Sequence, residues 1–209
     1  MEQKSARKIG IIGVPGAGKT TLAKALQVHI GSVNFTTAAC SEYAREYLHK
    51  HGGIEHIAIQ SSILFKQMRR EDILSSSCDL LFSDSPIFFC WLYAVLQLDP
   101  SSSEQRKIVR DLYKWAVLDQ LHRYDVIIFL PRQFDVVDDG CRDPAATEII
   151  ERTLLGFLDS HSHLFPRFVK ISSEKVDPQD ILEDRVVQIY RYLHDELQVP
   201  QIRPELALA

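Results

Sequence analysis

The sequence contains few cysteines, and their spacing argues against two classes of small protein. It has 4 cysteines among 209 residues, and none forms a CxxC pair. Disulfide frameworks and zinc sites both need cysteines that converge, and closely spaced pairs are their usual sign. We therefore expect buried, reduced thiols and a cytoplasmic protein. The cysteines are Cys40, Cys78, Cys90 and Cys141.

Long hydrophobic runs are also missing. The most apolar stretch, Pro86–Leu98, is shorter than the roughly 20 residues that a membrane-spanning helix needs. The amino terminus passes from charged residues directly into the short run KIGIIG, without the extended apolar segment of a signal peptide. We expect no membrane span and no secretion signal.

Neither sign of charge dominates the chain. Lys and Arg together number 24, Asp and Glu number 28, and the net charge is −4. Binding of nucleic acid regardless of sequence usually needs an excess of positive charge, so it is disfavoured, although a local basic groove stays open. The length fits one domain, which we place at residues 1–198 with a tail at 199–209. The oligomeric state stays open, with a homodimer as one option.

Two kinds of hydrophobic pattern alternate along the chain. Five short apolar runs predict strands, and several are apolar on both faces, as in strands covered by helices on two sides. These runs are Lys8–Gly13, Val33–Ala38, Asp79–Ser83, Asp125–Leu130 and Arg167–Ile171. The predicted helices are Lys19–Ile30, Ser41–His51, Glu55–Leu74, Ile87–Leu98, Ser102–His122, Ala145–Ser160 and Pro178–Leu197. The alternation predicts parallel βαβ units and a three-layer α/β fold.

The residues Gly13–Thr20 read GVPGAGKT and fit the phosphate-binding pattern G-x-x-x-x-G-K-[ST], between a predicted strand and a predicted helix. Its glycines let successive N–H groups point at phosphate oxygens, and the helix end favours anions. Lys19 would hold the β- and γ-phosphates of ATP, and Thr20 would offer a hydroxyl to Mg²⁺. The residues predicted to contact the nucleotide are Gly13, Pro15, Gly16, Ala17, Gly18, Lys19, Thr20 and Thr21.

Signatures of other nucleotide-binding classes are absent from the sequence. It has no N-K-x-D, which GTPases use to read guanine, and no LSGGQ-like signature of an ABC ATPase. AAA+ modules are longer and add a helical lid domain. Small kinases remain, and these need an acid near the reacting oxygen, an acceptor site and a lid that carries arginine.

Asp84 is the first candidate acid. It follows the apolar run LLFS, at the carboxyl edge where ligands bind in open α/β sheets. We expect it to hold Mg²⁺ or to act as the base near the acceptor hydroxyl. Asp84-Ser85-Pro86 is also a good cap for the next helix, and the two roles are compatible.

Glu42 and Arg45 follow the second predicted strand and lie three residues apart, on one helix face. A carboxylate and a guanidinium placed together could address one sugar or acceptor group, which makes Glu42 a second candidate base. The alternative is a surface ion pair of little value. Glu46 is a fallback acid, although it could pair with Lys50.

The segment 131–145 has the composition of a closing lid, with two arginines and four aspartates between proline and glycine residues. Arg132 or Arg142 could neutralise charge on the transferred phosphoryl group. Asp138 and Asp139 could bind ribose hydroxyls or hold an arginine. A solvated charged loop is the alternative.

Gln60 lies among apolar residues of the third predicted helix, where its amide could read a base or amide edge of the acceptor. A glutamine on the helix surface is an equal alternative. Four aromatic residues follow Asp84 closely, and core packing is favoured over the wall of a pocket. They are Phe88, Phe89, Trp91 and Tyr93.

Taken in order, these motifs resemble one group of P-loop kinases, the AAA-type ATPase and ribosylnicotinamide kinase-like family, which is related to nucleoside and nucleotide kinases. The resemblance rests on GVPGAGKTTL, SEYAREYL, the helix with Gln60, LLFSDS and FDVVDDGCRDP, over roughly residues 8–185. It implies a P-loop NTPase fold with sheet order 2-3-1-4-5, and it places the loop Ser172–Asp177 near adenine.

The resemblance also implies an activity, the ATP- and Mg²⁺-dependent transfer of the γ-phosphoryl group to a hydroxyl. The acceptor would be a nucleoside, a nucleotide or a molecule like nicotinamide riboside. Two alternatives stay open, a kinase for a hydroxylated base or end in DNA or RNA, and a regulatory ATPase that drives a partner. The predicted catalytic residues are Lys19, Asp84, Glu42 and Arg142, and the predicted acceptor-binding residues are Glu42, Arg45, Gln60, Asp84 and Asp139.

Overall fold

The short apolar runs form one parallel sheet. The computed structural model describes residues 6–32, 34–118, 121–134 and 144–200. Within these ranges five strands pair in the order β2-β3-β1-β4-β5, and every pairing is parallel. The predicted α/β fold and the order 2-3-1-4-5 are confirmed. The strands are β1 (Arg7–Ile12), β2 (Thr37–Cys40), β3 (Leu80–Asp84), β4 (Val126–Phe129) and β5 (Phe168–Lys170).

Helices cover both faces of the sheet, which explains why its central strands are apolar on both sides. All of β3 and β4 is buried, and β1 is buried from its second residue onward. The helices are α1 (Lys19–Ile30), α2 (Tyr43–His51), α3 (Ile59–Ser75), α4 (Phe89–Leu96), α5 (Ser103–Leu112), α6 (Pro144–His161) and α7 (Pro178–Leu197).

The second strand lies further along the chain than the sequence predicts. The prediction was Val33–Ala38, whereas β2 spans Thr37–Cys40. Ser32 and Phe35 form an isolated antiparallel bridge, so the chain turns back here before the strand begins. The shift moves the carboxyl end of β2 to Cys40, which brings the start of α2 to the edge of the sheet.

The long helix predicted at Ser102–His122 is interrupted. Its first part, α5, ends at Leu112 and continues as a π-helical turn over Tyr113–Leu118, with a 3₁₀ turn at Leu121–Arg123. At the start of the wider turn, the hydroxyl of Tyr113 lies 2.9 Å from Nε2 of His161. Such turns accompany a local change in side-chain packing that periodicity does not reveal.

The packed chain continues one residue past the predicted domain boundary at 198. Val199 is fully buried, and its N–H donates to the carbonyl of Leu193. The rest of the predicted tail, from residue 201, lies outside the described residues. Among the helices that the structure describes, none is long and apolar enough to cross a membrane.

Candidate active site

The glycine-rich loop joins β1 to α1 at the carboxyl edge of the sheet. Gly18 occupies the N-cap position of α1 with a φ of 86°, a left-handed conformation that favours glycine. Gly13 faces the end of β4 so closely that a Cβ there would lie 2.7 Å from the carbonyl oxygen of Leu130. A side chain at either position would change the curve of the loop.

Lys19 is buried, with 7% of its surface exposed, and its side chain folds back across this loop. Its Nζ donates to the carbonyl oxygens of Gly13 and Val14, at 2.9 and 3.1 Å, and lies 6.0 Å from the centre of the Phe89 ring. The ammonium group therefore sits where the loop curls. A pocket of about 390 Å³ opens here, lined by Gly16, Gly18, Lys19, Thr20, Thr21, Arg45 and Phe134.

Asp84 meets the glycine-rich loop because β3 pairs with β1. The register places Asp84 opposite Ile11, and the hydroxyl of Thr20 donates to Oδ2 of Asp84. Asp84 is 1% exposed. A hydroxyl and a carboxylate that share one point form the oxygen donor set that Mg²⁺ takes from proteins when phosphates and water complete its shell. The residues present thus fit the ion predicted from the sequence.

The turn after Asp84 has an unusual backbone. Ser85 adopts a φ of 64°, which is rare for a residue other than glycine, and its N–H donates to the carbonyl oxygen of Ile11. The N-cap position of α4 belongs to Phe88. The interpretation of Asp84 as a helix cap is therefore wrong, because the chain makes a further turn before the helix begins.

Glu42 and Arg45 lie on the same side of this edge. Glu42 holds the N-cap position of α2 with 16% of its side chain exposed, and its Oε2 lies 3.7 Å from Nη2 of Arg45. Nη1 of Arg45 donates to Oγ1 of Thr20 at 3.2 Å. The pair is therefore more than a surface ion pair, because Arg45 contacts the Thr20 hydroxyl that is predicted to bind Mg²⁺.

Burial raises the pKa of Glu42 above its ordinary value. The positive charge of Lys19 opposes this shift, whereas the negative charge of Asp84 adds to it. The fallback acid behaves differently. Glu46 forms a two-point ion pair with Arg70 at 2.5 Å, and these hydrogen bonds lower the pKa of Glu46.

The predicted lid is described only at its ends. Arg132 forms an ion pair with Glu151 of α6, with Nε and Oε2 3.2 Å apart. Phe134 lines the pocket above the loop. Arg142, Asp138 and Asp139 lie outside the described residues.

Gln60 is buried rather than on the helix surface. It lies in the first turn of α3 with 1% of its surface exposed, and its Nε2 has no hydrogen-bond partner among the described residues. A buried amide nitrogen without a partner costs free energy unless a ligand or water satisfies it. The predicted acceptor-facing role of Gln60 stays a prediction.

The aromatic residues after Asp84 mainly pack in the core, as favoured. Phe88 stacks on Phe157, and Trp91 packs against the same ring. Phe89 faces both the core and Lys19. Tyr93 lies near Glu42, and burial followed by this charge raises the pKa of its phenol.

Arg185 is a site residue that the sequence interpretation missed. It is 2% exposed, and its guanidinium donates to the carbonyls of Ala17 at 2.8 Å and Pro131 at 3.1 Å, and to the side chain of Gln133. Burial lowers its pKa. A signal was present, because Arg185 falls four residues from both Ile181 and Ile189 on the apolar stripe of α7.

A second pocket, of about 220 Å³, lies next to Arg185, between the start of α1 and the start of α7. Its walls are mainly apolar, with the ring of Phe134 on one side. The residues that line it are Gly18, Thr21, Leu22, Phe134, Pro178, Gln179, Ile181, Leu182 and Arg185.

Several solved structures share this fold. The NadR protein, in complex with NR, shares 20% identity over 95% of this chain with a TM-score of 0.73, and a second NadR structure, with NAD and AMP-PNP, gives 18% and 0.70. The chain spans about half of the NadR protein, 54% and 51%. Thymidylate kinase from Candida albicans shares 13% identity over 95% of this chain and 96% of its own, with a TM-score of 0.61. Deoxyadenosine kinase from M. mycoides shares 17% over 90% and 99%, with a TM-score of 0.59.

These likenesses, all at low identity, establish the fold of the chain. A comparison with curated proteins finds no match. The family model described as AAA domain matches residues 8–176, which is most of the sequence and includes the glycine-rich loop, Glu42 and Asp84. The chain therefore belongs to the AAA domain family.

Proposed function

We propose that this protein is an ATP- and Mg²⁺-dependent kinase that phosphorylates a hydroxyl of a small nucleoside-like acceptor. One observation carries the proposal. Thr20 and Lys19 of the phosphate-binding loop meet Asp84 from β3 and the pair Glu42 and Arg45 from α2 at one edge of the sheet. The groups that would bind the nucleotide phosphates, the metal and the acceptor hydroxyl, together with a second positive charge, therefore lie close together.

The two pockets suit the two halves of ATP. The polar pocket lies over the backbone N–H groups of the loop, beside Lys19, and suits the triphosphate. The mainly apolar pocket is next to it and suits a flat base, with Phe134 on one side and Pro178 on the other. The loop predicted near adenine, Ser172–Asp177, leads directly into this second pocket.

Thr20 and Asp84 would hold Mg²⁺, which neutralises charge on the phosphates when it is bound. Because the Thr20 hydroxyl already donates to Asp84, this carboxylate is committed to the loop. Glu42 is then the better candidate to accept the proton of the acceptor hydroxyl. Its raised pKa brings it closer to neutral pH, which favours a general base.

Arg45 would neutralise charge on the phosphoryl group as it moves. Its guanidinium borders the polar pocket and donates to Thr20, which supports a role beside the phosphates in place of the acceptor-binding role predicted from the sequence. Arg132 is paired with Glu151. The predicted role of Arg142 in the lid stays a prediction.

The acceptor would meet Gln60, whose buried amide nitrogen lacks a partner among the described residues. An amide donor of this kind recognises a carbonyl or ring nitrogen on a base. NR, thymidylate and deoxyadenosine are named for the proteins that share the fold, and all are small nucleosides or nucleotides. They favour a small acceptor over DNA or RNA.

A panel of acceptors tests this function. Purified protein is incubated with labelled ATP, Mg²⁺ and nicotinamide riboside, thymidine, deoxyadenosine, thymidylate or hydroxymethylated DNA in turn. We expect label on one of the small acceptors. Label on the DNA alone would show a nucleic-acid kinase, and release of phosphate with no labelled acceptor would show a regulatory ATPase.

A pair of arginine variants tests the site itself. Arg45→Met should lower kcat by about 100-fold, because a charge-stabilising group is lost from the transition state. Arg70→Met is the matched control, since Arg70 is also paired with a glutamate nearby but does not touch Thr20. We expect kcat of the control within about twofold of the wild type. Equal losses in both variants would remove Arg45 from the site.

A further inference from the structure

Helix α3 lies behind both turns that carry the candidate carboxylates. One turn, between β2 and α2, carries Glu42, and the other, between β3 and α4, carries Asp84. The inner face of α3 presents two polar residues to them, Gln67 and Glu71, four residues apart and therefore on one side of the helix. Both are buried, with 3% and 0% of their surface exposed.

Gln67 brackets the turn that carries Glu42. Its Oε1 accepts the N–H of Tyr43 at 2.8 Å, and its Nε2 lies 3.4 Å from Sγ of Cys40. Cys40 ends β2 and Tyr43 begins α2, so one amide spans the connection on both sides of Glu42. The bond to Tyr43 also satisfies a free N–H at the start of α2, where Glu42 provides no side-chain cap.

Glu71 brackets the turn that carries Asp84. Its carboxylate accepts from the hydroxyl of Ser83 at 2.5 Å and from that of Tyr124 at 3.0 Å. The Tyr124 oxygen in turn accepts the N–H of Ile87 at 3.0 Å. Ser83 precedes Asp84 and Ile87 follows the turn, so the network holds both ends of it.

The same network explains how the turn keeps its rare backbone conformation. A left-handed residue other than glycine costs about 1 kcal/mol or more, and it persists only where the surroundings fix it. Ser85 is such a residue, and it lies between the two anchored positions. An ion pair between Arg123 and Glu71, with Nε and Oε2 2.8 Å apart, completes the charge balance of the buried carboxylate.

We propose that Gln67 and Glu71 are positioning residues of the transfer site, Gln67 for the Glu42 turn and Glu71, through Tyr124, for the Asp84 turn. The inference rests on the proposed kinase function. Its content is that α3 sets the distance between the acid that faces the acceptor and the acid that faces the metal. Neither residue touches a reacting group. Both act through the backbone of the turns.

Two conservative variants test the roles of Gln67 and Glu71 separately. Tyr124→Phe removes only the hydroxyl between Glu71 and Ile87, and Gln67→Met removes both amide contacts at similar volume. We expect each to lower kcat by about tenfold, because displacing a reacting group by a fraction of an ångström is enough to do so. KM for ATP should stay within about twofold, since the phosphate-binding loop is untouched.

The two variants should also differ in their Mg²⁺ titrations. Tyr124→Phe should raise the Mg²⁺ concentration for half-maximal activity by about threefold, because Asp84 is a metal donor. Gln67→Met should leave the Mg²⁺ titration unchanged and raise KM for nicotinamide riboside, thymidine or deoxyadenosine, whichever is the substrate. Gln67→Glu keeps an oxygen for the Tyr43 N–H and should recover part of kcat.

Two control variants use the same helix. Lys66→Met loses a contact to the hydroxyl of Tyr43 rather than to its backbone, and Asp72→Asn weakens the exposed part of the network around Arg123. Both should keep kcat and the Mg²⁺ titration of the wild type. Activities are compared at a temperature well below the melting temperature of every variant, so that unfolding does not contribute.

The outcomes are distinguishable. Wild-type values of kcat in Tyr124→Phe and Gln67→Met, or equal losses in the two controls, would overturn the inference while the kinase function stands. The inference would also be overturned if Tyr124→Phe and Gln67→Met both lost kcat and changed the Mg²⁺ titration in the same way. A wild type that phosphorylates no acceptor would overturn the proposed function, and the inference with it.

Discussion

The phosphate-binding loop and the two carboxylate-bearing turns meet at one edge of the sheet, yet they are built in different ways. The loop is a single continuous stretch between β1 and α1, and Lys19 bonds to the carbonyls of that same stretch. Glu42 and Asp84 come from separate connections, and a third element, α3, anchors the backbone around both. A site built from one continuous segment should lose nearly all activity when its key residue is removed. A site assembled from several elements should lose activity only in part when one supporting residue is removed.

The strongest test of this contrast is Lys19→Ala. We expect turnover to fall by at least about 1,000-fold, because the point charge on the β- and γ-phosphates has no substitute within the loop. The fold should persist, since the hydrogen bonds from Lys19 to Gly13 and Val14 lie within the loop itself. Circular dichroism, the melting temperature and steady-state kinetics check this.

Lys24→Ala is the matched control for that experiment. Lys24 lies on α1, one turn beyond the loop, and is exposed. Its removal should leave turnover unchanged. If Lys19→Ala kept more than a tenth of wild-type activity, the loop would not act as proposed.

Asp84→Asn should have the next largest effect, a loss of about 100-fold in kcat with a higher Mg²⁺ requirement. The amide can still accept from the Thr20 hydroxyl, so the loop should keep its shape while the metal loses a negative donor. A magnesium titration at saturating ATP measures the shift. Asp79→Asn, just before the opposite end of β3, should leave the titration unchanged, and an unchanged titration in Asp84→Asn would take this residue out of the metal site.

Arg185→Met tests how α7, which is distant in sequence, supports the phosphate-binding loop. The change leaves the carbonyls of Ala17 and Pro131 without their buried donor. We expect the free energy of unfolding to fall by about 2 kcal/mol and KM for ATP to rise several-fold. Urea unfolding and kinetics measure the two effects.

Arg152→Met serves as the comparison, because Arg152 pairs with Glu148 on an exposed face of α6. Its removal should change stability by less than about 0.5 kcal/mol. Equal effects of the two variants would show that the buried guanidinium adds nothing to the loop.

The smallest effect concerns the pH dependence of stability. Because burial raises the pKa of Glu42, the folded protein holds a proton that the unfolded chain releases, so stability falls as pH rises from the ordinary glutamate pKa to the raised one. Glu42→Gln removes this loss. It should be more stable than the wild type above that window and no more stable below about pH 4, although it should have little kinase activity.

Glu46→Gln should be less stable than the wild type at neutral pH, which is the opposite of the change expected for Glu42→Gln. The bond from Arg70 lowers the pKa of Glu46, so its ionised form contributes stability that is present at neutral pH and lost as the pH falls through the lowered pKa. Urea unfolding of both variants at several pH values measures the two trends. If both variants changed stability in the same direction at neutral pH, the assignment of Glu42 as a buried carboxyl would be wrong.

The same contrast explains which features the sequence predicts well. The loop and α1 were predicted at their observed positions, because the phosphate pattern and its flanking elements lie together in the sequence. Asp84 and Glu42 were placed at the correct edge by a general rule about the carboxyl ends of parallel strands. The contacts of Thr20 with Asp84 and with Arg45 depend on how the strands and helices pack side by side, which one sequence does not give.

The supporting residues were missed for a physical reason. Gln67 and Glu71 are polar, and a polar residue on a helix of weak periodicity is normally assigned to the surface. They are buried because other elements supply their partners, among them Tyr43, Ser83 and Tyr124. Arg185 was the exception that carried a signal, since it interrupts an apolar stripe.

Arg185 has a consequence for how the molecule is assembled. The brace of the glycine-rich loop, which lies near the start of the chain, comes from α7, the last helix among the described residues. A polypeptide cut before α7 would carry the whole phosphate-binding motif and yet lack the group that secures its backbone. A nascent chain would therefore gain a firmly shaped nucleotide cradle only after nearly all of the fold has been synthesised.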